Sequence, residues 1–452
     1  MARDILVIYK LFASMVLVTV LVTACWYSGG SIETQQQLAL SNPAGKGSRL
    51  PRLVSMPDRT STLMSWVEPT ENGHVLKFAV LKQGRWIRQG DAAKGERWFV
   101  NWADYPSVVP ISDTFWLAHW LSRRPGGKTY DYDVSLALTN DAGKTWREIG
   151  HPHRDDAAAE HGFVTIFKES DHAAGIIWLD GRDYIKKGER TLPPGRSGNF
   201  ALRYTTIHAD GGMSDEQVID DNTCTCCWTS VAQTPAGAIA VWRGRTDSEV
   251  RDNRFALMRD AKWTAPSSLG GEGWQIDACP VNGPSVASQG NQVVASWFTA
   301  QGDKPRVRIA FSGDSGKSFG KLFSVDDIAP IGRIGLVWLD NQYAAVSWLG
   351  QADDIHKKSH LYLQQVGKNG QIYAAQSIAQ LSSGRDTGVP QMSTNGRELV
   401  FAWTNPAPEY GISTMLLPKQ ALKKELNPDR DNTKHLGKDV RLSKLSVCTR
   451  PH

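Results

Sequence analysis

A chain of 452 residues with 51 Lys and Arg against 46 Asp and Glu has a formal net charge of only +5, unevenly spread. Residues 418–452 alone hold nine basic and four acidic side chains, so the body is near neutral and offers no electrostatic footprint for nucleic acid. With 17 tryptophans, 41 glycines and little 3.6-residue periodicity beyond the N-terminus, the composition excludes a helical bundle and points to short strands joined by tight turns.

At the N-terminus, Arg3 and Lys10 accompany the apolar run LFASMVLVTVLVTA, and Cys25 follows the small residues Thr23 and Ala24. Residues 1–25 read as a signal peptide, since the run is shorter than the ~20 residues of a membrane span. The ending Val-Thr-Ala-Cys resembles the lipobox of bacterial lipoproteins. That resemblance implies acylation of Cys25, attachment to the membrane through an N-terminal lipid anchor, and a cell-envelope, extracytoplasmic address in the periplasm or on the outer membrane. Residues 26–47, rich in Ser, Gln and Gly, read as a tether.

From residue 48 to 417 one pattern recurs. A short strand ending in tryptophan appears at Trp66, Trp120, Trp178, Trp242, Trp297, Trp348 and Trp403, at intervals of 54, 58, 64, 55, 51 and 55 residues. Each copy has another apolar run before it and one or two after it, giving about four short antiparallel strands per repeat, as in a propeller blade. The expectation is an all-β chain folded as a β-propeller of four-stranded antiparallel blades. Seven blades are preferred, the incomplete last copy being closed by a strand near the N-terminus such as QQLALS, with six as the alternative. Residues 418–452 form a basic tail.

Two turns between third and fourth strands, TNDAGKTW and SGDSGKSF, share Ser/Thr-x-Asp-x-Gly-x-Thr/Ser-aromatic spacing. Asp141 and Asp314 can accept from turn amides, Gly143 and Gly316 can supply positive φ, and Trp146 and Phe319 can pack back between strands. On these turns the chain resembles the Asp-box (BNR-repeat) propellers of the sialidase superfamily. The segments NWADYPSV, IIWLDGR, CTCCWT, WRGRTDSEVRD and ACPVNGP resemble a bacterial group labelled sialidase-like, and the likeness spans about 48–417. It implies an exo-α-sialidase-like glycosidase with three arginines for the sugar carboxylate, a tyrosine–glutamate nucleophile and an aspartate acid–base group. Arg49, in Arg-Leu-Pro, stands where that family has Arg-Ile-Pro. The other roles match no motif, and Tyr410 beside Glu409 is the one tyrosine–glutamate neighbour noted. Sialidases of this type have six blades.

In a propeller, the loops after each second strand and those entering each first strand share one rim. The sequence puts its arginines and carboxylates there. Arg49, Arg182, Arg243, Arg245 and Arg251 are the candidate ligands of an acidic glycan or other anion, and Asp180, Glu249 and Asp252 the candidate acid–base groups. A structural Arg–Asp lattice between blades is the competing reading. The function expected is binding, and hydrolysis if active, of an acidic glycan at this mouth; the alternative is a non-catalytic propeller binding a glycan, metal or protein partner. No cofactor is expected. Cys224, Cys226 and Cys227 enter the fourth blade and Cys279 the fifth, so neighbouring loops bring four thiols together. They form disulfides, one of them linking Cys279 to the CTCC loop, or hold a soft metal.

Overall fold

The computed structural model describes residues 38–184, 199–325, 329–353, 358–406 and 410–422; the signal peptide with Cys25, most of the tether, Glu409 and nearly all of the basic tail lie outside the described residues. Among the described residues no helix is long and apolar enough to cross a membrane. Seven antiparallel sheets follow one another along the chain, each running from an inner first strand to an outer fourth. The first contains Arg49–Ser55, Ser61–Thr70, Gly73–Lys82 and Arg85–Gly95, and blades two to six begin with Ser107–Pro110, His161–Ser170, Ser230–Thr234, Ser285–Gln289 and Pro330–Trp338. The seventh takes Gln391–Thr394, Glu398–Asn405 and Gly411–Pro418 from the C-terminal side and Leu38–Leu40 from the N-terminal side. The chain is therefore an all-β propeller of seven blades, and the count of seven tryptophan strands outweighs the six blades of the sialidase comparison. Its closing strand lies inside the stretch read as tether, because a three-stranded last blade would otherwise expose an unpaired edge.

The recurrent tryptophans explain the repeat. Trp66, Trp178, Trp242, Trp297 and Trp348 are at most 1% exposed, each packed among neighbouring strands. Removing an indole of this size from water contributes roughly 4–6 kcal/mol as an upper estimate. A buried N–H needs an acceptor, and four indoles find a carboxylate: Trp66 donates to Glu68 (2.7 Å), Trp178 to Asp180 (2.7 Å), Trp242 to Asp220 (2.7 Å) and Trp297 to Glu272 (3.1 Å).

On the opposite side, both eight-residue turns close on their aspartates. Asp141 accepts from the Thr145 amide (2.9 Å) and hydroxyl (2.7 Å), and Asp314 from those of Ser318 (3.0 and 2.6 Å). Gly143 and Gly316 have φ of 83° and 81°. Trp146 meets Phe78 edge-on at 6.0 Å, and Phe319 meets Phe255 at 5.3 Å.

Three first strands enter through the same distortion. Leu50, Phe163 and Arg333 have φ of 57°, 51° and 57°, each within a register shift. The buried amide that each bulge takes out of the strand ladder is caught by another blade: Leu50 N–H by Thr404 Oγ1 (3.0 Å), Phe163 N–H by Asp104 Oδ1 (2.8 Å) and Arg333 N–H by Asn282 Oδ1 (2.9 Å). Glycine precedes the last two because a Cβ on Gly162 or Gly332 would lie 2.1 Å from the capturing side chain.

Candidate functional site

Leaving the third blade's second strand, residues 181–184 turn back onto the strand's last residue. Asp180, fully buried at the end of Ala173–Asp180, accepts from Arg182 N (3.0 Å), Nε (2.9 Å) and Nη2 (2.6 Å) as well as from the Trp178 indole. Arg182 Nη2 also lies 3.1 Å from Asp155 and 3.0 Å from Glu216. Burial alone would raise the Asp180 carboxyl, but Arg182 and His161 hold it below the ordinary range.

Beside it is a group that the sequence reading missed. His153 and His161 stack at 3.9 Å with planes 6° apart, both with fully buried side chains. Asp133 lies 3.5 and 3.6 Å from one edge of the two rings, and Asp155 lies 3.4 Å from each at the other. Ligand atoms of Asp133, His153 and His161, and of Asp155, His161 and Asp180, come within 4.8 Å of one another. Parallel rings nonetheless point their in-plane lone pairs along separate lines, and Arg124 (2.9 Å from Asp133) and Arg182 already neutralise the carboxylates, so the geometry suits a shared proton better than a cation. Burial opposes charge on both rings; the three aspartates raise His161 above its usual range, while His153 stays lowered.

In the fourth blade, Arg243 is 1% exposed and spends its guanidinium on the carbonyls of Asn282 (2.8 Å), Arg251 (2.7 Å) and Phe298 (2.8 Å). Arg245 and Arg251 both grip Glu249, Arg251 at 2.7 Å. Despite partial burial, they hold the Glu249 carboxyl below its ordinary range. Asp252 caps a turn, accepting from Gly273 N (2.7 Å) and Trp274 N (2.9 Å). Among the described residues no carboxylate is shared between Arg182 and Arg243, Arg245 or Arg251; a charged link between the two blades is Asp220, which takes Arg254 (2.9 Å) together with the Trp242 indole. Arg49 has no carboxylate partner in the described residues. Its Nη2 is 3.5 Å from His74 Nε2 and its guanidinium lies over the Tyr410 ring at 5.6 Å.

The four cysteines converge. Cys224 Sγ lies 3.8 Å from Cys226 Sγ and 3.5 Å from Cys227 Sγ, and Cys279 Sγ is 3.5 Å from the Thr225 hydroxyl; all four are thiols. Hydrogen bonds from Cys226 and Cys227, with Arg251 and Arg243 nearby, push the Cys224 thiol well below its usual range, whereas burial pushes Cys226 and Cys227 up. Cys279 borders a small cleft at the mouth of about 50 Å³, lined also by Trp102, Trp274, Asn282, Arg333 and Ser383.

A larger space lies elsewhere. Inner strands of five blades line an open cavity of about 790 Å³ in the central channel, and its charged lining is Arg52, Arg59 and Lys168, without a carboxylate. Arg52, midway down, donates to Gln391 Oε1 (2.9 Å) and lies over the Tyr105 ring at 5.6 Å. Burial and Arg52 push the neighbouring His119 down to about 3. Arg52 was legible in principle, as a charged position among the apolar residues Leu50, Pro51, Leu53 and Val54 of an inner strand. A second missed group is the Tyr132 hydroxyl, 3.2 Å from both Asp104 and Glu160. Burial and the nearby Glu160 push Asp104 up to about 7, and Tyr132, 1% exposed, is pushed well above its usual range, so this trio is shut away from any substrate.

No family model matches the chain, and no curated protein matches it in sequence. Solved structures match it in fold. An ulvan lyase, described as a new family of polysaccharide lyase, aligns with a TM-score of 0.50 at 10% identity over 85% of this chain and 96% of its own. A protein of unknown function from Dyadobacter fermentans gives 0.48 at 12% identity over 85% and 98%, and the NanB sialidase of Streptococcus pneumoniae 0.43 at 10% over 88% and 72%. At such identities the ulvan lyase likeness speaks to the fold alone, and the fold it shares is the propeller.

Proposed function

We propose that the protein is a lipid-anchored, sialidase-like propeller of the cell envelope that binds an acidic glycan in its central channel without hydrolysing it. The observation that carries this reading is an open cavity that presents positive charge with no carboxylate in its described lining. Asp180, Glu249 and Asp252 are each engaged by arginine or backbone N–H groups, and Arg182, Arg243, Arg245 and Arg251 by carboxylates or carbonyls, so the loops at the mouth behave as framework. The channel instead presents Arg52 and Arg59 in a cavity with no lining carboxylate. An anion there gains charge-assisted hydrogen bonds in partly dry surroundings. Support of a general kind comes from the ulvan lyase, by its description a polysaccharide lyase, which is built on the same ring.

Binding of uronate-containing, sialylated and sulfated oligosaccharides, measured by calorimetry against neutral counterparts, tests the reading. Arg52→Ala should weaken binding of the acidic ligands about tenfold to a hundredfold, the equivalent of roughly 1.5–3 kcal/mol, while Arg245→Ala leaves binding unchanged and lowers stability. Equal affinity for acidic and neutral sugars, or release of free sugar by the wild type, would overturn it.

A further inference from the structure

The thiol cluster has a geometry of its own, independent of the glycan reading. Cys224 and Cys227 are at most 1% exposed, and Cys226 is 9% exposed. They sit among Ala103, Phe200, Trp228, Trp242 and Val281. Their loop is pinned at its root, where the Cys224 amide donates to the Arg243 carbonyl (3.0 Å) and Thr223 bridges Gly244. The sulfur–sulfur separations of 3.5 and 3.8 Å are far beyond the roughly 2.05 Å of a disulfide. They instead match the edge of a thiolate tetrahedron, which for metal–sulfur bonds of about 2.3 Å is about 3.8 Å.

We infer that Cys224, Cys226 and Cys227 of the fourth blade's entry loop, completed by Cys279 from the fifth's, form a binding site for a thiophilic closed-shell metal ion, Zn(II) or Cu(I). No imidazole or carboxylate stands within the buried sulfur triplet, so the donor set is all soft and selects against Ca(II), Mg(II) and Mn(II). Several thiolates around one ion leave surplus negative charge. Arg251 answers it directly, its Nη1 3.3 Å from Cys224 Sγ, and the buried Arg243 guanidinium adds a second positive charge nearby. An entry path exists as well, since Cys279 is only half-buried and faces the mouth cleft beside Trp102 and Trp274. Each thiol that becomes a ligand gives its proton to solvent, and no electron changes hands.

The test uses the full chain, purified in detergent under reducing, anaerobic conditions. Metal analysis after adding Zn(II) or Cu(I) alone should give one tightly held equivalent per chain. Competition with a colorimetric chelator for each ion decides between the two. Peptide-level alkylation should find Cys224, Cys226, Cys227 and Cys279 protected by metal and reactive once it is stripped, and Cys279→Ser should weaken retention by more than the about 10–100-fold typical of losing a supporting contact. Should Cys224→Ser fail to fold, the wild-type protection pattern still decides. Identical alkylation with and without metal, or a peptide map showing Cys279 bridged to the CTCC loop in the native protein, would overturn the site. Either failure leaves the glycan reading standing, because Arg52 is read out by sugar binding.

Discussion

His161 and His153, eight residues apart in sequence, are stacked in a buried environment of carboxylates that their positions in the chain do not announce. Two imidazoles 3.9 Å apart cannot both carry charge comfortably, and the carboxylates of Asp133, Asp155 and Asp180 favour the proton on His161, with Arg182 balancing the aspartates and the Tyr132 carbonyl against Nδ1 at 3.2 Å. Because the folded-state value of His161 is raised, its contribution is fully present below the unfolded value of about 6.5 and is lost as pH rises through the higher folded value. The difference in unfolding free energy between wild type and His161→Gln should therefore be largest on the acid side of neutrality and shrink toward alkaline pH. Denaturant titrations at several pH values measure it, and a difference that grows with pH would contradict the assignment.

Among the elements, the entry bulges decide how blades lock together. Each puts a residue at positive φ and turns its amide toward a neighbouring blade, a strained arrangement that persists only because a side chain captures the amide. Asn282→Ala should free the Arg333 amide and lower stability by about 1–3 kcal/mol in denaturant unfolding, with the channel's sugar affinity unaltered. An unchanged midpoint would mean that the captured amide contributes nothing. None of these clamps was legible. The sequence separations are 354 for Thr404 to Leu50, 59 for Asp104 to Phe163 and 51 for Asn282 to Arg333, and only the closed ring turns such intervals into contacts. Strand identity, by contrast, was legible, because the tryptophan repeat is a local hydrophobic pattern with a fixed place in every blade.

For the whole molecule, the address depends on Cys25, whose acylation is a proposal from the apolar run and the small residues before it. Metabolic labelling with a fatty acid should mark the wild type and spare Cys25→Ala; equal labelling of both would remove the anchor from the account. Ring closure also belongs to this scale. Leu38–Leu40 completes the seventh sheet beside Gly411–Pro418, and the Thr414 hydroxyl donates to the Leu40 carbonyl at 2.7 Å, tying the ends of the propeller together. The sequence could foresee this from the arithmetic of seven tryptophan strands and one missing edge.

What the sequence determined by itself is what short-range chemistry controls: alternating apolar strands, glycine-bearing turns closed by Asp141 and Asp314, seven repeats, and four cysteines on adjacent loops. What only the tertiary structure decided is pairing. WLDGR and WRGRTDSEVRD look alike as charged loops, but Asp180 and Glu249 each close on arginines of their own loop, and no periodicity reports which partner a long guanidinium reaches. Arg52 stands out for the opposite reason. It shares the strand Arg49–Ser55 with Arg49, and its meaning appears only when inner strands of several blades bring it and Arg59 around a cavity whose described lining holds no carboxylate.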